Sequence, residues 1–233
     1  MNNVMPPQLK SKKDQQNMIA ALDIGTSKVV VIVAEIQSDG VLKIIGKGQH
    51  VSKGLKKGVV INIENTKQAI QRAVEEAELM ADCKITEVYT GIAGSHIKSI
   101  NSHAMVKIKD DEVTQMDVEL VRETAEAINL STDQEVLHVI DQEYIIDDQQ
   151  DIKEPLEMSG KLLNIKVHII SGSIAARQNI IKCIKQCGLE VIDLVFQPLA
   201  SSEAVLTQDE KELGVCLVDI GGGTTDIALI KNG

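Results

Sequence analysis

Apolar and polar positions run through this chain in two rhythms, and the changes of rhythm mark its elements. An apolar run from Met18 ends in the turn sequence Asp23-Ile24-Gly25-Thr26-Ser27. Lys28 to Ala34 follows, with Val29 to Val33 an unbroken β-branched stretch. Such a run predicts a strand buried on both faces. Ser38-Asp39-Gly40 turns the chain into a third strand over Val41 to Val51, so the chain opens on a meander. From Glu64 to Ala81 the period becomes helical: Ile70, Ala73, Val74, Ala77 and Met80 share a face, and Gln71, Glu75, Glu76 and Glu78 lie mostly on the others. Asn62 or Asn65 caps the start of this helix. Val88 to Ala93 is the next strand.

A different segment follows. His103 to Ile108 alternates weakly, as a strand does. Thr114-Gln115-Met116-Asp117 has the form of a capping box with Asp in the last place, and it opens a helix whose Val118, Val121, Ala125 and Ile128 share a face. Glu135 to Ile146 and Leu162 to Ile170 are strands, and Asp147 to Pro155 between them is an acidic loop. The stretch from about Glu87 to Ile170 therefore reads as a small strand–helix–strand–strand module inserted in a larger fold. Beyond it, Ile174 to Cys187 is a helix with Ile180, Ile181 and Ile184 inward, and Gly188 stands where a left-handed C-terminal residue belongs. Glu190 to Phe196 is a strand, Pro198 to Leu206 a short helix, and Gly214 to Asp219 and Asp226 to Ile230 are the last two strands.

Composition narrows the function. Aromatic residues are 1% of the chain, so the core is built from Ile, Val, Leu and Ala. A net charge of -10 repels a phosphate backbone, and the near absence of rings leaves no base-stacking platform, so no nucleic-acid role is expected. Cys183 and Cys187 lie on a helix without a second pair at zinc spacing, which marks the four cysteines as reduced thiols of a cytoplasmic protein. No stretch is long and apolar enough to span a bilayer. Residues 1–17 are polar, carry Pro6 and Pro7, and read as a disordered leader; its Lys10, Lys12 and Lys13 are a solvated tail or a weak contact for acidic lipid.

The chemistry sits in an internal repeat. Ile19-Ala20-Ala21-Leu22-Asp23-Ile24-Gly25-Thr26 is echoed by Cys216-Leu217-Val218-Asp219-Ile220-Gly221-Gly222-Gly223-Thr224. Each is an apolar strand ending in Asp, a glycine turn with Thr, and a further apolar strand. Glycine lets backbone N–H groups come close to phosphate oxygens and takes φ values other residues avoid, and successive N–H groups form an anion-binding concavity. Gly25, Gly221, Gly222 and Gly223 fill that role, and Thr26, Ser27, Thr224 and Thr225 add hydroxyls. Asp23 and Asp219, at the strand ends, face each other and suit a hydrated Mg²⁺ shared with a triphosphate. Lys28 is either a phosphate contact or an exposed strand residue. The acidic run Asp147, Asp148, Asp151 is a solvated loop or a partner contact.

This pair of turns is the phosphate pattern of the actin, Hsp70 and sugar-kinase superfamily. Further strings resemble one family within it, the FtsA family of bacterial cell-division proteins: Glu78-Leu79-Met80-Ala81-Asp82-Cys83, Gly94-Ser95-His96-Ile97, His138-Val139-Ile140, Gln142-Glu143-Tyr144, Met158-Ser159-Gly160, Lys166-Val167-His168-Ile169-Ile170, Gln197-Pro198-Leu199-Ala200-Ser201-Ser202 and the run from Leu206 to Val215. The resemblance runs from about Met18 to Gly233. It implies an α/β chain of actin-like (ribonuclease H-like) fold, a mixed sheet with flanking helices, carrying an inserted small α+β subdomain. Residues 18–86 and 171–212 would form the first actin-like subdomain (1A), 87–170 the family-specific SHS2-like insertion (1C), and 213–233 the start of the next subdomain (2A).

The resemblance also implies function: an ATP- and Mg²⁺-binding, polymer-forming adaptor that links FtsZ to the inner membrane and recruits other divisome proteins, with at most weak ATPase activity. It would work peripherally on the cytoplasmic face at the division site. Gln197 falls where relatives place a residue that orients attacking water; otherwise it only ends a strand before Pro198. The family is longer than this sequence, which reads as truncated: the adenosine-binding glycines, the subdomain implicated in FtsZ contact and the C-terminal amphipathic membrane helix are expected beyond Gly233. A PilM-like pilus-assembly adaptor, or an ATPase or kinase of the same superfamily, is the competing reading.

Overall fold

A computed structural model describes residues 17–232. The expected leader, with Lys10, Lys12 and Lys13, lies outside them but for Asn17. In chain order the elements are β1 (Met18–Ile24), β2 (Lys28–Ile36), β3 (Leu42–Val51), β4 (Leu55–Lys56), β5 (Val59–Val60), α1 (Ile63–Ala81) and β6 (Glu87–Ile92). Then come β7 (Lys98–Lys107), α2 (Gln115–Glu126), β8 (Gln134–Ile146), β9 (Gln149–Ile152) and β10 (Leu162–Ser173). The last are α3 (Ile174–Lys185), β11 (Glu190–Phe196), α4 (Gln197–Val205), α5 (Gln208–Leu213), β12 (Val215–Ile220) and β13 (Thr225–Ile230). The chain divides into two compact units, one of residues up to 95 and from 176 onward, the other His96–Ala175.

The first unit is built on a five-stranded mixed sheet in the order β11-β6-β1-β2-β3. The expected meander forms its antiparallel part, while β6 lies parallel to both β1 and β11. The inserted module expected from Glu87 thus has its first strand, β6, paired within this sheet. Leu22, Ile24, Val29, Val31, Val33, Val88 and Ile92 are buried. The β-branched run of β2 is closed on one face only: Val29, Val31 and Val33 are covered, but Ile32 is 37% exposed. Alternation along the pleat sends neighbours to opposite faces, and the second face has less covering it. Thr90, buried among these strands, donates its hydroxyl to the Leu22 carbonyl at 3.0 Å, so its burial leaves no polar atom stranded.

Helix α1 packs on the sheet's edge. Its cap is Asn62, whose side chain accepts from the Asn65 N–H at 2.9 Å. A β-carbon on Gly48 would stand 1.8 Å from the Ala73 carbonyl, and one on Gly46 2.7 Å from that of Ala77, so helix and strand meet at backbone distance. Met80 does not enter the core: it is 67% exposed, and its sulfur accepts from the Lys47 N–H. Glu76 likewise accepts from the Gln49 N–H at 2.8 Å. Two outward N–H groups of edge strand β3 are thereby occupied, which blunts pairing with another chain.

The second unit is an antiparallel sheet in the order β7-β10-β8-β9. One face packs on α2 through Val121, Leu163, Ile165 and Val167. The expected capping box is present, with Thr114 and Asp117 bonding reciprocally, and those bonds lower the Asp117 pKa. The acidic loop holds a strand the sequence reading did not place, β9, entered through Asp147 in the left-handed region (φ 51). Asp147 also accepts from the Lys161 and Leu162 N–H groups, and this is how it is used. The other sheet face is polar, carrying the Lys166–Glu143 ion pair and a His168–Asn101 hydrogen bond.

Candidate functional site

The repeat in the sequence is a repeat in the backbone. In each copy an antiparallel pair is closed by a two-residue loop. The Gly25 N–H donates to the Lys28 carbonyl around Thr26-Ser27, and the Gly221 N–H donates to the Thr224 carbonyl around Gly222-Gly223, both at 2.9 Å. None of these four glycines and loop residues lies in the left-handed region. The glycines are required for a different reason than turn conformation. A β-carbon on Gly222 would lie 1.7 Å from Ser27 Oγ, and one on Gly223 2.8 Å from Thr26 Cγ2. The two loops therefore meet directly, and only hydrogen fits where they touch.

Strand alternation decides which side chains converge. Asp23, Gly25 and Lys28 lie on one face of the first hairpin. Asp219, Thr224 and Asp226 lie on one face of the second, where Asp219 stands opposite Asp226 across the strands. Thr225 pairs with Ile220 and falls on the other face, so it is not brought in with the rest. The carboxyl of Asp23 is reached by solvent but walled by protein. That desolvation raises its pKa, the Lys28 charge lowers it, and the Asp219 charge raises it again. Lys28 and Asp219 are thus both within electrostatic reach of Asp23.

Gln197 is the first residue of α4, and Pro198 in the helix's first turn fixes its entry. Its Nε2 donates to Asp23 Oδ1 at 2.5 Å. Its chain lies over Gly91, where an added β-carbon would stand 2.6 Å from Gln197 Cγ. A carboxylate only accepts, so the amide's orientation follows from its partner.

Sequence reasoning missed two participants. Asp226 accepts from Thr224 Oγ1 at 3.2 Å and faces Asp219, a like-charge pair that a cation would relieve. Its signal was the Asp that closes Asp219-Ile220-Gly221-Gly222-Gly223-Thr224-Thr225-Asp226. The other is the β4–β5 hairpin, whose Gly58 N–H donates to Thr26 Oγ1 at 3.3 Å; Lys57-Gly58 after Leu55 was its turn signal. Among the described residues no group of three or more His, Cys, Asp or Glu is gathered as a metal cage. What is gathered is a set of loop amides, hydroxyls and strand-end carboxylates, groups of the kind that bind phosphate oxygens and a hydrated Mg²⁺.

Comparison with known proteins decides the family. Residues 94–171 match the family described as the SHS2 domain inserted in FTSA. A cell division protein FtsA of Pseudomonas aeruginosa is 56% identical over 216 residues, 93% of this chain and 52% of the relative. That of Neisseria meningitidis is 56% identical over 221 residues, 95% of this chain and 53% of the relative. That of Escherichia coli K12 is 47% identical over 222 residues, again 95% and 53%.

The chain belongs to the FtsA family.

It spans about half the length of the curated FtsA relatives it matches. Among solved structures it is similar in fold to the PilM-PilN type IV pilus biogenesis complex, with TM-score 0.63 and 17% identity, covering 92% of this chain and 58% of that one. The ethanolamine utilization protein EutJ of Carboxydothermus hydrogenoformans gives TM-score 0.51 and 16% identity, covering 100% and 50%. The fold of this FtsA-family chain is actin-like, with an SHS2 insertion. Likeness to PilM extends to the fold alone. No helix among the described residues is long and apolar enough to cross a membrane.

Proposed function

We propose that this chain is the nucleotide-binding part of an FtsA-type cell-division adaptor, taking ATP with Mg²⁺ alongside its two adjoining glycine turns. The observation that carries the reading is the direct meeting of those turns, Gly222 on Ser27 and Gly223 on Thr26, with Asp23 and Asp219 electrostatically coupled beside them. Magnesium supplies charge neutralisation for the phosphates. The residues' own work is to hold it and them: Asp23, Asp219 and Asp226 through bound water, with Thr224 Oγ1 donating to Asp226, and the Thr26, Ser27, Gly222 and Gly223 amides and the Thr26 and Ser27 hydroxyls toward phosphate oxygens. Lys28 adds a nearby positive charge. Gln197, held on Asp23 and Gly91, is placed to orient a water, which suits slow hydrolysis and a scaffold's use of nucleotide.

As in the family, the adaptor would self-associate into polymers, contact FtsZ and other divisome proteins, and work on the cytoplasmic face of the inner membrane. Residues 18–86 with 171–212 are read as subdomain 1A and 213–233 as the start of 2A; of the segment 87–170 expected to form 1C, β6 pairs with the sheet of the first unit and the second compact unit is His96–Ala175. Calorimetric titration with Mg–ATP tests the nucleotide site. Binding is expected for the wild-type chain, weakened about tenfold or more in Asp219→Ala, a loss of about 1.4 kcal/mol or more. Equal affinity of the two proteins would overturn it.

A further inference from the structure

The first glycine turn is held from one side by a short segment the repeat does not include. Strands β4 and β5 form a hairpin whose loop is Lys57-Gly58, both left-handed at φ 52 and 76, the conformation of a type I′ turn. Leu55 and Val60 are buried and anchor its root. Its tip is wedged: a β-carbon on Gly58 would stand 2.7 Å from both the Ala93 carbonyl oxygen and Gly94 Cα. From this fixed position the Gly58 N–H donates to Thr26 Oγ1, and just before the hairpin the Ser52 N–H donates to the Ser27 carbonyl at 3.0 Å. Both residues of the first loop are therefore gripped by residues 52–58.

The Gly58 bond has a chemical consequence. A threonine hydroxyl has one proton and accepts through its lone pairs. With Gly58 donating to the oxygen, the Thr26 proton is left to be given to an anion. Lys57, adjacent to Gly58 in a locked turn, is exposed, and among the described residues it makes no ion pair. The chain thus puts a free cation on a flexible stem beside the loop whose hydroxyl is presented to an anion.

We propose that the Lys57-Gly58 turn is a third wall of the anion site, Gly58 orienting the Thr26 hydroxyl and Lys57 supplying the cation for a phosphate of the bound nucleotide. This rests on the nucleotide reading above. The test is calorimetric titration of the full chain with Mg–ATP and Mg–AMP, at low and high salt, for wild type, Lys57→Ala, Lys57→Arg, Lys56→Ala and Asp219→Ala. Lys57→Ala is expected to weaken ATP about tenfold, to flatten the salt dependence of ATP affinity, to affect AMP less, and to leave the melting temperature unchanged. Lys57→Arg retains binding, and so does Lys56→Ala. If Asp219→Ala weakens ATP and Lys57→Ala does not, the third wall is wrong and the nucleotide site stands. If Lys56→Ala matches Lys57→Ala, the effect is bulk charge and the assignment to Lys57 falls. If wild type and Asp219→Ala are alike, both readings fall together.

Discussion

The two glycine hairpins share a backbone plan and live in opposite surroundings. The β1–β2 hairpin is sewn into a five-stranded sheet, with β6 and β3 on its flanks, and its Leu22 is 2% exposed. The β12–β13 hairpin forms a sheet of its own, with Ile220 79% and Leu229 81% exposed. Yet both close two-residue loops with the same glycine-to-carbonyl bond at the same distance. Loop geometry is therefore a property of the local sequence, and burial is a property of the neighbours. A motif can be complete while the strands that carry it are not covered.

The sharpest way to break this comparison is to remove side chains at matching places. Leu22→Ala in the first hairpin deletes fully buried methyls and leaves a cavity, so a loss of about 2–5 kcal/mol is expected in denaturant midpoints. Ile220→Ala in the second removes surface that water already reaches, and about 0.5 kcal/mol or less is expected. Similar losses at the two positions would mean that Ile220 is covered in solution, and that the hairpins are not differently supported.

The same division explains what was legible in the sequence. Strands β1, β2 and β11, helices α1 and α2, and the left-handed Gly188 follow from period, capping and turn chemistry, all of which are local. The paired Asp-glycine turns were legible for the same reason. The half-covered face of β2 was not, because nothing in Val29 to Val33 says how many layers the fold stacks on it. Met80 has helical spacing but sits at the rim of the α1–β3 contact, where its sulfur meets the Lys47 N–H of the edge strand and the side chain stays 67% exposed, so spacing alone put it inward. Helix α5 did leave a local mark, the capping box of Thr207 with Glu210, which is formed in the structure. Gly58 and Asp226 left local marks, a turn dipeptide and a closing Asp, but their places at the site, like that of Gly91, depend on partners that only the fold brings to them. The reason for the glycines was also spatial: contact between loops rather than unusual φ.

A finer probe acts where the hairpins touch. Gly222→Val puts a branched side chain into Ser27, and nucleotide affinity is expected to fall by about tenfold or more. Because the obstruction is a single side chain on the facing loop, Ser27→Gly should restore part of it. In the double-mutant cycle the coupling between the two positions is expected at about 0.5–3 kcal/mol. Independent effects of the two substitutions would show that the loops do not meet in solution.

The smallest expected effect separates the two hairpins by charge. Asp23 has a folded-state pKa above its ordinary 3.8, chiefly from desolvation, opposed by Lys28 and reinforced by Asp219. For a carboxyl with a raised pKa the sign is unfavourable: the ionised form costs stability above the folded pKa, and the cost is relieved as pH falls through it. Asp117 behaves oppositely, since its lowered pKa adds stability that is lost only as pH falls through that lower value. Asp23→Asn keeps an acceptor for Gln197 and removes the penalty, so at neutral pH the chain should gain stability, by less than about 1 kcal/mol at a carboxyl that solvent still reaches. The same substitution should weaken Mg²⁺-dependent nucleotide binding, so that stability and binding move in opposite directions. Asp219→Asn should draw the Asp23 titration, followed by carboxyl NMR, slightly back toward 3.8, because it removes the least of the three influences on that group. An Asp23 that titrates at or below 3.8 in the wild-type chain would mean that desolvation does not outweigh Lys28, and one that ignores Asp219→Asn would mean that the two strand-end carboxylates do not sense each other, which removes the electrostatic support for a shared cation site.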